Sequence, residues 1–189
     1  SPAGVLKQRV GLTDIEIVYN RPSLKGRAMI GHIEPYDKVW RTGANAATTV
    51  SFSTAVQLEG HAIPAGKYAL FTIPTAGDWT VILSRKANQN GAFNYSEADD
   101  LVRFPVTPRR LAEPVETLEF TVNDLRDDSA TINLSFETYR LPLRLKLDVI
   151  AQTVAQIDTL MKADGPKPYA AAASFYFNNK LDLNQALAW

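Results

Sequence analysis

The chain has no cysteine. That removes disulfides, thiolate catalysis and cysteine-ligated zinc in one step. It leaves the compartment open, because a chain of this size buries roughly 70% of its unfolded surface and needs no covalent staple. Histidine is almost as scarce: His32 and His61 stand far apart, so there is neither an HExxH nor an HxH pair. A histidine metal site, or a hydrolase built on those two rings, would need the fold to bring them together, and no metal or cofactor is expected. No apolar run approaches the roughly 20 residues that cross a bilayer, so no membrane span is expected. Excess charge is missing too. Twenty Lys and Arg balance twenty Asp and Glu, which argues against a nucleic-acid binder that relies on phosphate neutralisation.

Motifs for covalent or phosphoryl chemistry are also absent. There is no G-x-S-x-G elbow for a serine nucleophile. Gly60–Lys67, GHAIPAGK, has five residues between its glycines where a phosphate loop has four, and Tyr68 follows where Ser or Thr would hold magnesium. It reads as a hairpin turn. The carboxylate pairs Asp99/Asp100 and Asp127/Asp128 are sequence neighbours, and neighbours on a strand point to opposite faces. They are poor candidates for the facing acids of a glycosidase. No catalytic residue is assigned; the chain reads as a binding module sooner than an enzyme, the further alternative being a hydrolase whose carboxylates or histidines only the fold brings together.

What is present is alternation. Ile15, Ile17 and Tyr19 share one face of a strand, and Val50 and Phe52 share another. Lys67–Ile73 and Trp79–Leu83 are short and rich in β-branched and aromatic residues. Leu118/Phe120/Val122, Ile132/Leu134/Phe136 and Leu141/Leu143/Leu145/Leu147 each repeat with period two. Turn clusters separate these runs at Glu59–His61, Pro64–Gly66, Thr75–Asp78 and Asp124–Ser129. Without a βαβ rhythm, the pattern predicts an antiparallel β-sandwich, or a partly open barrel, over residues 1–148. The period then changes. Val149, Ile150, Val154, Ile157, Leu160 and Met161 form a helical stripe ended by Gly165-Pro166. A second apolar stretch runs from Tyr169 to Phe177, and Asp182 with Gln185 reads as a capping box opening a third helix. Residues 149–189 are therefore expected to be a short C-terminal segment of helices. The start at Ser1-Pro2 reads as a processed product whose signal peptide is gone, and the natural chain is expected to continue past Trp189.

Asn20–Thr49 breaks the alternation. Arg21, Lys25, Arg27, Lys38 and Arg41 face only Glu34 and Asp37 there, while Asn94–Glu137 carries ten acids against four arginines. Either the acidic stretch is a solvated face or it sits against the basic segment. Arginine forks bind carboxylate or phosphate bidentately, and a tryptophan face stacks on a sugar or takes a cation. Arg21, Lys25, Arg27, Trp40, Arg41 and Asn45 are thus the candidate ligand-binding residues. The cations would hold an anionic group, Trp40 would form a wall and Asn45 would set orientation. The competing reading puts Trp40 in the core and pairs Arg41 with an acid. The long turn Arg85–Asp100, with Phe93 and Tyr95 in a polar loop, is either a lid over such a site or an ordinary excursion.

One series of residues is recognisable. Tyr19–Ser23 with Lys25-Gly26-Arg27, then Trp40–Asn45 and Ala47–Thr49, then Pro64–Pro74 and Trp79-Thr80-Val81, resembles a bacterial family known as domain of unknown function 2911 over about residues 1–147. The resemblance implies an exported protein, periplasmic or secreted, often with tetratricopeptide-like helices behind the β domain. Tyr169–Trp189 is similar to one such helix–turn–helix unit. The family brings no catalytic residues. The expected function is a binding module for a small polar or anionic ligand, such as a glycan or envelope fragment. The alternative is a protein-interaction module that recruits its partner through the C-terminal helices.

Overall fold

Strand alternation builds the framework of residues 1–147. In the computed structural model, which describes all residues 1–189, ten strands follow in order: β1 (Ala3–Val10), β2 (Thr13–Asn20), β3 (Thr48–Phe52), β4 (Val56–Leu58), β5 (His61–Ile63), β6 (Gly66–Ile73), β7 (Trp79–Ser84), β8 (Asp100–Val106), β9 (Arg109–Asn123) and β10 (Ser129–Lys146). They form two antiparallel sheets, one of six strands in the order β1-β2-β3-β6-β7-β8 and one of four in the order β5-β4-β10-β9. The sheets do not close into a barrel. Three helices follow: α1 (Val149–Lys162), α2 (Tyr169–Asn178) and α3 (Leu183–Ala188). The chain divides into two compact units, Ser1–Leu147 and Asp148–Trp189.

The core lies between the inward faces of the two sheets. Ile15, Ile17, Phe52, Leu70, Val81 and Leu83 come from one side, and Leu118, Phe120, Ile132, Leu134, Leu141 and Leu143 from the other, all buried. Each contributes about 1.5–3 kcal/mol by leaving water. Aromatic contacts join the layers. Tyr19 meets Phe120 edge-on with ring centroids 4.9 Å apart, and Trp79 meets Tyr139 at 5.2 Å.

β10 is one strand where the sequence shows two separate runs. Glu137 sits at φ +54°, and the register with β9 slips on both sides of it. Before this bulge the buried apolar positions are even (Ile132, Leu134, Phe136); after it they are odd (Tyr139, Leu141, Leu143). One extra residue is what swaps the faces of a strand. Within Gly60–Lys67 only the start is a hairpin turn, Glu59 and Gly60 both at positive φ between β4 and β5; Pro64 and Ala65 then carry the chain from β5 across to β6 in the other sheet.

The helical unit has its own small core of Ile157, Ala172 and Tyr176, with Trp189 edge-on to Tyr176 at 4.9 Å. Asp148 caps α1 through the Ala151 amide, and Asp182 caps α3 through the amides of Asn184 and Gln185.

Candidate functional site

The basic segment is laid against β9, joined through backbone and side chains alike. The Leu118 amide donates to Pro22, the Leu24 amide donates to the Glu116 carbonyl, and the Lys25 amide donates to the Glu116 carboxylate at 2.9 Å. No ion pair links the basic segment to the acidic stretch. Arg21 runs its stem beside Gly4 and donates Nε to the Leu118 carbonyl at 2.9 Å. Arg27 folds back to donate to the carbonyls of Leu24 and Ser23, each at 2.9 Å. Lys25 holds a left-handed turn position at φ +50° and is exposed. Arg41 lies 3.9 Å from Glu34, and its Nε is buried without a partner. Burial pushes the Glu34 carboxyl up, against the pull of Arg41.

Trp40 corrects the expectation of a ligand wall. It is only 2% exposed, stacks on Phe136 at 6.3 Å, meets Trp79 at 6.4 Å, and donates Nε1 to the Gly43 carbonyl. Its backbone pairs with Thr72 of β6, which turns the indole inward as on any strand facing a core.

The next five residues explain the W-R-T-G-A-N signature. Thr42 is fully buried at φ +55°, an unusual place for a β-branched residue. Its hydroxyl lies 3.2 Å from that of Thr72, and its carbonyl accepts from the Thr48 hydroxyl at 2.8 Å. At Gly43 a Cβ would come within 2.9 Å of the Asn20 carbonyl, so only glycine fits. Asn45 follows at φ +58°, exposed, with its amide donating to the Asn20 side chain at 3.3 Å. This strained turn thus sets two amide side chains, Asn20 and Asn45, side by side.

Asn20 borders an open groove of about 390 Å³ on the outer face of the six-stranded sheet. Val18, Thr49 and Lys67 supply its floor from β2, β3 and β6; Ala46 and Ala47 form one wall, and Ala87–Asn90 the other. That second wall belongs to the excursion between β7 and β8. The excursion is closed at its base by the Arg85 amide donating to Asp99, and attached to the facing loop by the Ala47 amide donating to Gln89. Gln89 is 8% exposed; its Nε2 donates to the Lys86 carbonyl at 2.7 Å, and its Oε1 is buried with no partner. Farther along, Tyr95 packs on Phe71 over an outer-face cluster with Ala69 and Ile82. Its hydroxyl donates to Asp100 at 2.8 Å and accepts from Arg103 at 2.6 Å. Burial first, and then the Asp100 carboxylate, push the Tyr95 phenol up to about 12. Between these two attachments Phe93 stands 89% exposed, its ring against Gly91.

Four of the ten groove residues carry amide side chains: Asn20, Asn88, Gln89 and Asn90. Each amide offers two donors and an acceptor in a fixed plane, a set suited to neutral hydroxyls. Of the six residues singled out in the sequence, only Asn45 neighbours this groove, through Asn20. Lys67 and the Asn88–Asn90 run were not singled out. The run lies in the long turn already noted, and its three consecutive amides were the available signal.

The fold and the groove define an open two-sheet antiparallel β protein with a polar surface cleft. The chain belongs to the family described as Protein of unknown function (DUF2911), whose model matches residues 1–145. No curated protein and no solved structure matches it.

Proposed function

We propose that the β unit is a non-enzymatic binding module for a small, hydroxyl-rich polar ligand of the saccharide class, held in the groove between Asn20 and Asn88–Asn90. The observation that carries this reading is the strained Thr42–Asn45 turn. Backbone in sparsely populated regions costs about 1–3 kcal/mol per residue, and such strain clusters at binding sites. Here its accessible product is the Asn20–Asn45 amide pair at the groove's edge. Amides of Asn88 and Asn90 bond the ligand's hydroxyls, the Lys67 ammonium accommodates a carboxylated or sulfated sugar, and Phe93 stacks on the ring's apolar face. The periplasmic or secreted setting implied by the family resemblance belongs to this reading.

The test is calorimetry of the whole chain against neutral and uronic-acid oligosaccharides. Joint replacement of Asn88 and Asn90 by Ala is expected to abolish binding, and Phe93→Ala to weaken it. Saccharide affinity that survives both changes, or none in the unaltered protein, sinks the reading.

A second reading assigns the helical unit to a protein partner. A groove lined by Ala173, Phe177, Leu183 and Leu187 supports it, with Phe177 and Leu187 largely exposed. Its dimensions and apolar lining suit the hydrophobic face of a partner's amphipathic helix. Phe177→Ser combined with Leu187→Ser is expected to remove that association and leave saccharide binding intact. An unchanged set of partners counts against it.

A further inference from the structure

A second hollow, of about 470 Å³, opens where β10 folds back at its bulge. Thr131 and Asn133 from the first arm of the strand and Arg144 from the second line the same space, with Thr107 beyond the end of β8. Its volume is within the roughly 300–1,000 Å³ of small-molecule sites.

The charges in this hollow balance, and half of them are already paired. Glu59 and Arg144 satisfy one another: Arg144 Nη2 donates to the carboxylate at 2.8 Å, and the Arg144 amide donates to it at 2.6 Å. Burial pushes the Glu59 carboxyl up, but the Arg144 guanidinium and backbone amide together hold it below the usual carboxylate range. Arg109 and Asp124 remain. Both line the hollow, yet neither makes a side-chain hydrogen bond or ion pair to any residue, including the other. Asn133 is only 7% exposed; its Nδ2 donates to Asn123 Oδ1 at 3.2 Å, and its carbonyl oxygen accepts nothing from the protein. That oxygen is still reached by solvent, so it is free to accept from a molecule seated in the hollow.

One free cation, one free anion and an unused carbonyl in a hollow of zero net charge do not match a simple anion, which the two carboxylates would repel. We propose that this hollow binds a zwitterion carrying a carboxylate and an ammonium group, a free amino acid or a short peptide. Its carboxylate lies on the Arg109 fork. Its ammonium lies between the Asp124 carboxylate and the Asn133 carbonyl. The Thr131 hydroxyl completes the polar wall. The inference is independent of the saccharide groove.

The experiment is calorimetry of the whole chain with L-alanine, L-lysine, L-glutamate and dialanine, and with acetate and ethylammonium as half-ligands. At least one zwitterion is expected to bind, with neither half-ligand binding at equal concentration. Arg109→Gln and Asp124→Asn should each weaken it about tenfold or more. Asp124 sits at φ +53°, a conformation asparagine accepts readily, so the second variant keeps the turn even if the first perturbs β9. Joint loss of the Asn88 and Asn90 amides should leave zwitterion binding unchanged. Acetate binding as tightly as the zwitterions overturns the proposal, as does affinity indifferent to both variants or no binding by any zwitterion.

Discussion

Two long connections on the six-stranded sheet have opposite fates. The first, from Arg21 to Ala47, carries charge and aromatics and looks like a recognition loop, yet its strongest groups are taken up by the chain itself. Trp40 lies in the core, Arg21 and Arg27 cap backbone carbonyls, and Arg41 leans on Glu34. The second, Arg85–Asp99, is nearly neutral amide-rich turn. It is held by a few bonds at Gln89 and Tyr95 and leaves Asn88, Asn90 and Phe93 in solvent. Charge density is therefore a poor guide to availability. A guanidinium beside unsatisfied carbonyls is readily drawn into holding the chain, because carbonyls without partners are costly.

The largest separation should come at the indole of the first connection. Trp40→Ala empties a core position against Phe136 and Trp79 and is expected to cost about 3–5 kcal/mol in denaturant unfolding. A loss under about 1 kcal/mol would mean the Trp40 loop is not integral to the sandwich. Asn45 divides conformation from contact. Asn45→Ala forces a Cβ-bearing residue with no local hydrogen bond into φ +58°, costing about 1–2 kcal/mol. Asn45→Gly keeps the backbone and should hold stability to within about half of that, while still weakening saccharide binding. Equal affinity in Asn45→Gly and the unaltered chain would detach the strained turn from the groove.

The second connection should answer to alkali. The Tyr95 phenol is raised from an ordinary 10 to about 12, so the folded chain holds that proton more tightly than the unfolded chain does. The stability this contributes is complete below pH 10 and is lost as pH rises toward 12. Tyr95→Phe should remove that alkaline step and cost about 1 kcal/mol at neutral pH through the lost bonds to Asp100 and Arg103. Amide exchange should accelerate across Arg85–Asp99 more than elsewhere. An alkaline step that persists in Tyr95→Phe would assign it to another group.

Much of the architecture was legible because burial imposes period two. Ile15/Ile17/Tyr19 and Leu118/Phe120 announced their faces, and the change to a helical stripe at Val149 marked the change of architecture. β8 and the start of β9 were not legible. Arg109–Pro114 is largely exposed and broken by bulges, so it lacks alternation. The single β10 was hidden by Glu137, whose left-handed conformation has no composition signal. At the groove, Asn45 was visible as part of a distinctive motif. Lys67 and Asn88–Asn90 were not, since their meeting depends on β6 lying two strands from β2 and on a turn folding across the outer face. Trp40 admitted two readings, ligand wall or core, because a tryptophan in a polar segment resembles a platform until its backbone bridge to Thr72 is known.

The smallest expected effect bears most directly on the comparison. Arg27 is exposed and donates to two carbonyls within its own turn. The Leu24 carbonyl keeps the Arg27 backbone amide as a donor, and the bond to the Ser23 carbonyl is exposed, so Arg27→Ala should cost under about 1 kcal/mol, well below the value for a buried charged hydrogen bond. It should also leave saccharide affinity unchanged, since the side chain lines neither the groove nor the β10 hollow. Suppose instead that Arg27→Ala left stability alone and cut affinity tenfold. The first connection would then be the recognition surface after all, with its guanidinium released from Ser23 and Leu24 when ligand arrives. Measuring melting and binding on this one variant separates a side chain that holds a turn together from one that waits for a ligand.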